Sequence, residues 1–347
     1  MSGVVGWDIG GAHLKAARAE QGRIVAALQL AAPLRAGLDA LTRAFAAAKA
    51  EMGAGHAHVI TMTGELADTF ASRHEGVAQL AALAGKQLAG EQLAGARVRL
   101  YAGRAGFVPL ERATAHVTDV ASANWHASAA FVARMVSNAL FIDMGSTTTD
   151  VVPILGHKIA ARGYTDAERL AAGELVYTGL VRSFVMATTD RAPFAGHWTR
   201  LINENFANMA DVHRVLGTLP DEADQMGTAD GREKTAEASR ARLARMVGAD
   251  AADADEAAWR GLARWLAEAQ IRSVLDGAML VLSARALPGD APVVGAGIGS
   301  AVIREVARRL GRSYADFDAF LAVEPEAREA ARHCAPAAAL ALLGAME

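Results

Sequence analysis

FIDMGSTTTDVVPI, residues 141–154, is an apolar run ending in Asp143-Met144-Gly145, a hydroxyl-rich turn, and a second, β-branched run. Apolar and β-branched segments meeting at a glycine-centred turn predict two strands of a hairpin. The same design opens the chain. GWDIGGAHLKAA, residues 6–17, sets Asp8 before Gly10-Gly11 and Lys15 after the turn. A motif met twice so far apart is an internal repeat rather than a short-period array.

Working outward, Gly3 to Ile9, Leu14 to Ala19 and Arg23 to Leu30 read as three strands joined by tight turns. Leu34 to Met52 has helical spacing, His58 to Met62 is a short strand, and Arg97 to Val108 is extended. Val120 to Met135 reads as one helix. Beyond Tyr164 the pattern predicts helices over Glu168–Val185, Trp198–Leu216, Lys234–Val247 and Glu256–Ala286. Ala291 to Val294 is a strand, Gly295-Ala296-Gly297-Ile298-Gly299 a turn, and Ser300 to Leu310 a helix. The polar stretch Pro220 to Arg232 reads as a loop.

At roughly 150 residues per domain, 347 residues suggest two domains and leave one large domain open. Hydrophobic residues at 52% and charged residues at 21% exclude a largely disordered chain. The net charge of −3 supplies no basic field for nucleic acid, so an anionic ligand needs a local site. The single cysteine, Cys334, excludes an internal disulfide and fits a reducing, cytoplasmic compartment. Neither a secretion signal nor a membrane partner is expected: the apolar tail Ala335–Met346 is short of the ~20 residues that span a bilayer. It reads as a buried helix. Apolar helices after Tyr164 leave a homo-oligomer open.

Glycines let backbone N–H groups approach an anion closely, so both loops suit phosphate, although Gly-Gly turns also occur in ordinary hairpins. Asp8 is of the right chemistry for Mg²⁺, and Lys15 for neutralising phosphate. Ser146, Thr147 and Thr148 add hydroxyl donors in the second loop. Gly295, Gly297 and Gly299 lie between a strand and a helix N-terminus, which suits an anionic or nucleotide-like group as well as a tight turn. Glu65, in Thr63-Gly64-Glu65-Leu66, is a candidate general base or a helix-capping residue. Asn124, Trp125 and His126 interrupt an Ala-rich helix and suit either the wall of a binding site or the core. His116, His126, His157, His197 and His213 show no paired metal-ligand spacing.

The order of the three glycine loops resembles the phosphate-one, phosphate-two and adenosine motifs of the actin, sugar kinase and Hsp70 superfamily. The loops look closest to its hydantoinase/oxoprolinase-like branch. TMTGELADTF, ASANWHASA, GELVYTG and ANMADVHRVLG, with the two loops, are similar to the tetrahydromethanopterin-linked C1-transfer pathway proteins, which include the methanofuran and methylofuran aryl-ether (aminomethylfuran) synthases. His13 departs from the superfamily's usual Thr at this point of the loop, which weakens direct transfer of an ATP-hydrolysis mechanism.

The resemblance implies an α/β fold of two ribonuclease-H-like domains with an interdomain cleft. The first domain is expected over residues 1–123 with the C-terminal helix 330–347, and the second over 136–321 with helical insertions. It implies a Mg²⁺-dependent transferase joining a phosphorylated furan, aminomethylfuran diphosphate, to a phenolic acceptor with release of pyrophosphate. The alternatives are an ATP-dependent kinase or amide-ring hydrolase, in which ATP is used, and a nucleotide-gated regulatory module. On the transferase reading Asp8 and Asp143 hold the metal. Gly10, Gly11, Lys15, Gly145, Ser146, Thr147 and Thr148 bind diphosphate, and Lys15, Glu65 and Asp150 are catalytic candidates. Glu174, Gly295, Gly297 and Gly299 form a nucleotide-like or substrate loop, with Asn124 and Trp125 on the acceptor side.

Overall fold

The computed structural model describes residues 3–88, 98–284 and 287–347. Arg97, Arg285 and Ala286, at the edges of two expected elements, lie outside them. The three opening strands form as the turn chemistry predicts: β1 (Val4–Ile9), β2 (His13–Glu20) and β3 (Arg23–Ala31). α1 (Leu38–Met52), β4 (Ala57–Met62), α2 (Arg73–Leu88), β5 (Val98–Tyr101) and β6 (Phe107–Pro109) follow. These strands make one sheet in the order β3-β2-β1-β4-β5-β6, with β1, β4 and β5 parallel and the rest antiparallel. An antiparallel meander continued by parallel strands is the expected ribonuclease-H-like arrangement.

Successive side chains of β1 take opposite faces. Val5, Trp7 and Ile9 pack with Phe45 of α1 and Leu80 of α2. Val4 joins Val59 and Leu340 on the other side. Burial on both faces accounts for the unbroken apolar run read at the N-terminus.

The chain continues through a single turn α3 (Val117–Val120), α4 (Asn124–Met135), β7 (Asn138–Met144), β8 (Thr149–Leu155), β9 (Lys158–Ile159), α5 (Asp166–Ala172) and β10 (Leu175–Val176). A hairpin, β11 (Arg191–Phe194) and β12 (His197–Arg200), precedes α6 (Met209–Leu216), α7 (Ala236–Met246) and α8 (Glu256–Ala284). β13 (Val293–Ala296), α9 (Ser300–Arg309), β14 (Tyr314–Asp316), α10 (Arg328–His333) and α11 (Ala335–Ala345) complete the order. The second sheet runs β10-β8-β7-β13-β14, with β9 paired to β8. The chain divides into two compact units, one of residues 1–141, 152–168 and 315–347, the other of residues 142–151 and 169–314; the boundary passes through β7 and β8.

Three helical expectations are corrected. The helix expected over Val120–Met135 is two pieces, because Ser122 adopts φ 54° and turns the chain between α3 and α4. The helix expected over Glu168–Val185 stops at Ala172, where Gly173 takes φ 73° and feeds β10 onto β8. The helix expected over Trp198–Leu216 begins only at Met209, after the Asn208 capping box. Before it, Ala195 and Gly196, both at positive φ, close the β11–β12 hairpin. The Pro220–Arg232 stretch carries neither helix nor strand and is pinned by ions: Asp224 pairs with Arg214 and Lys234, and Asp230 with the fully buried Arg242.

The apolar tail is the buried helix α11, laid across β1. Gly6 is required there, since a Cβ would overlap the Ala337 carbonyl. No helix among the described residues is long and apolar enough to cross a membrane.

Candidate active site

The two glycine loops close with the same hydrogen bond. The Gly10 N–H donates to the His13 carbonyl at 2.9 Å, and the Gly145 N–H to the Thr148 carbonyl at 2.9 Å. In the first loop Asp8 and Lys15 sit opposite each other on β1 and β2, with Asp8 Oδ2 4.0 Å from Lys15 Nζ and both side chains largely buried. Asp8 is also level with Thr61 of β4, so all three share one face of the sheet.

In the second unit, the Gly145–Thr148 loop is held from behind. The N–H of Leu180 donates to the Gly145 carbonyl at 3.0 Å, and that of Arg182 to the Ser146 carbonyl at 2.8 Å. Gly179 packs so closely on the Thr147 backbone that a Cβ there would overlap it. The Arg182 guanidinium reaches Thr147 Oγ1 at 3.2 Å. Gln270 of α8 donates to Thr178 Oγ1 and to the Gly179 carbonyl, and the His213 ring, which burial makes harder to protonate, braces Gln270 at 2.9 Å.

The third glycine loop meets the second. Gly299 N–H donates to the Met144 carbonyl at 3.0 Å, and Gly297, at φ 80°, lies where a Cβ would overlap both that carbonyl and Asp143 Oδ1. Gly295 instead faces the Tyr314 ring. Gly297 and Gly299 thus set the β13–α9 turn against Asp143.

Glu65 is 1% exposed. The Ser122 hydroxyl is 3.0 Å from its Oε1 and 3.2 Å from Asp166 Oδ2, while Arg73 donates to the same Asp166 oxygen at 3.0 Å. Oε2 of Glu65 makes no hydrogen bond. Burial pushes its pKa up to about 7; the Asp166 charge raises it further, against hydrogen bonds from the backbone and Ser122 and the charge of Arg73. A Thr165–Glu168 capping box starts α5 and fixes Asp166 at its first residue. Sequence reading missed Ser122, Asp166 and Arg73. No motif marks them: Ser122 stands in an Ala-rich run, and its positive φ emerges only in the fold.

Other expected residues lie elsewhere. Asp150 pairs with the buried Arg169 at 2.8 Å, and Arg169 also donates to the Glu174 carbonyl; Arg169 too was missed. Glu174 is 1% exposed. Asn124 caps its own neighbour, accepting from the Trp125 N–H at 2.7 Å. Trp125 is buried edge-on against His126 and Tyr164. Gly11 lies at the open tip of the first loop.

Among the described residues no three His, Cys, Asp or Glu side chains gather as an all-protein metal site. Mg²⁺ asks for less, since one or two carboxylates with phosphate and water oxygens complete its shell. Asp8 and Asp143 fit that mode. Each is nearly buried and stands at the end of a strand, two residues before a backbone N–H turn.

The profile of the family described as Hydantoinase/oxoprolinase matches residues 56–319. The Methanocaldococcus jannaschii (4-{4-[2-(gamma-L-glutamylamino)ethyl]phenoxymethyl}furan-2-yl)methanamine synthase is 34% identical over 192 residues, 55% of this chain and 56% of that protein. The synthase of the same name from Methanococcus vannielii is 33% identical over 123 residues, 35% of this chain and 55% of that protein. The chain thus spans about half the length of the curated relatives it matches. Among solved structures, nucleotide-free acetone carboxylase superposes with a TM-score of 0.56 at 11% identity, covering 98% of this chain and 70% of that one. That likeness is one of fold, the two-domain actin-like α/β fold.

Proposed function

We propose that this chain, which belongs to the hydantoinase/oxoprolinase family, is a synthase of methanofuran-type C1 carriers that joins a furan methylene to a phenol oxygen. The observation that carries the reading is the pair of Asp-Gly hairpins with matching backbone turns, in a chain similar to two synthases whose named product is a phenoxymethyl-furan. In the reaction, the phenol oxygen forms a bond to the methylene of aminomethylfuran diphosphate. The methylene–oxygen bond to phosphate breaks, pyrophosphate leaves with the electron pair, and the phenol proton passes to a base.

The chain's residues divide that work. Lys15 and the N–H groups and hydroxyls of Gly10, Gly11 and Gly145 to Thr148 stabilise charge building on the leaving diphosphate. Mg²⁺ would neutralise the same charge, and Asp8 and Asp143 are each of the right chemistry to hold it in their own loop. A phenol of pKa about 10 needs help to ionise at neutral pH. Glu65, with a carboxyl near 7, is matched to take its proton.

The test is product detection by mass spectrometry, with parallel pyrophosphate and ADP assays, using Mg²⁺, the furan diphosphate and tyrosine, tyramine or γ-glutamyltyramine, with and without ATP. An ether product with ATP-independent pyrophosphate is expected. Acceptor-dependent ADP without ether would overturn it in favour of a kinase or amide-ring hydrolase.

A further inference from the structure

The second unit contains a cavity of about 350 Å³, the size of a small-molecule site, beside the Gly145–Thr148 loop. Its lining combines Val176, Tyr177, Phe184 and Ala187 with Thr147 and Arg182, and further hydroxyls complete the wall. Arg182 and Thr147 are themselves in contact at 3.2 Å, so the cation borders the loop assigned to diphosphate. Tyr177 and Phe184 are large apolar side chains left 70% and 44% exposed, although burying an aromatic ring is ordinarily favourable.

Among the described lining residues Arg182 is the charged one, and none is a carboxylate. A flat ring linked to an anion would find both halves matched: apolar and aromatic side chains for the ring, guanidinium and hydroxyls for the anion.

Resting on the synthase reading, we propose that this cavity seats the aromatic ring of one substrate and directs that substrate's anionic group onto Arg182 and Thr147. Two substrates share this chemistry: the furan, through its diphosphate, and a γ-glutamylated phenol, through its carboxylate. The segment that shapes the cavity is stitched in place from both ends, by Gln270 on Thr178 and by Leu180 and Arg182 on the loop carbonyls. A ring that enters therefore meets a preformed wall.

The test is isothermal titration of three probes, aminomethylfuran diphosphate, γ-glutamyltyramine and ring-free inorganic pyrophosphate, against the wild type and two variants. Ala187→Trp fills the cavity from an exposed position, and Arg182→Met removes the cation. The substrate that uses the cavity should lose at least about tenfold in affinity in each variant, while pyrophosphate holds its affinity in Ala187→Trp. Which ring ligand loses affinity identifies the substrate. The proposal is overturned if neither ring ligand binds the wild type, if neither is weakened by Ala187→Trp, or if that variant weakens pyrophosphate equally. Ring binding lost in Ala187→Trp without any ether product from wild type would leave the cavity standing and sink the synthase reading. Ether formation with an unchanged KM in Ala187→Trp would do the reverse.

Discussion

The Ser122 hydroxyl stands 3.0 Å from Glu65 Oε1 and 3.2 Å from Asp166 Oδ2, so a single hydroxyl proton faces two carboxyl groups. It can serve one at a time. When Glu65 is protonated it can donate to Ser122, which then donates to Asp166, whose charge is balanced by Arg73. When Glu65 is ionised, Ser122 can turn back to it. The arrangement gives Glu65 a hydrogen-bonded partner in either protonation state, a useful property in a group proposed as a base.

If Glu65 is the base, activity should rise with pH through about 7, and Glu65→Gln should lower kcat about 100-fold or more and abolish that limb. Stability moves the other way. A carboxyl whose folded pKa is raised favours the folded state fully below its ordinary value of about 4.5, and that advantage is lost as pH rises through about 7. Glu65→Gln should therefore gain stability relative to wild type between pH 5 and 8. Paired denaturation curves check this, and parallel pH dependences would refute the buried, titrating carboxyl.

The neighbours of Glu65 should shift the activity limb in opposite directions. Ser122→Ala removes a bond that favours the ionised form, so the limb should move above 7; Asp166→Asn removes a repelling charge, so it should move below. Rate against pH in the two variants reads this directly. Shifts of the same sign would sink the relay.

Asp8→Asn and Asp143→Asn should each remove most turnover and raise the Mg²⁺ concentration needed for the remainder, with far-UV circular dichroism unchanged. Turnover that survives in either variant would remove that residue from the metal site.

Gly297→Ala should destabilise the fold by about 2–5 kcal/mol, since it forces a Cβ both into a left-handed backbone and against Met144 and Asp143. Gly289→Ala, with open space around it, is the control and should stay within about 0.5 kcal/mol. Chemical denaturation measures both.

Much of the architecture could be read from turn chemistry alone. The Asp8 and Asp143 loops announced their hairpins because glycine and short apolar runs act locally. The errors came where local pattern was overruled. Ser122 sits in a run that favours helix, yet it adopts φ 54° and breaks it. Arg191 to Arg200 has no strong strand composition, and its hairpin is instead stabilised by packing on α8, with Trp198 against Trp265 and Phe194 stacked on Trp259. Glu65 was visible as a candidate, but its partners come from α2, the α3–α4 turn and the start of α5. Proximity of that kind is a property of the fold, and no sequence spacing encodes it.

The helix laid over Gly6 has a consequence for synthesis. β1 is translated well before α11. Until Leu340 arrives, Val4 and Val59 lack part of their cover on that side, with Tyr101, Phe107, Ala123 and Ala127 of the same cluster already made. The first sheet therefore lacks the cover of α11 while some 270 residues between β4 and α11 are translated. A nascent chain halted before Ala335 should bind a hydrophobic dye or a chaperone, and release it once α11 is added.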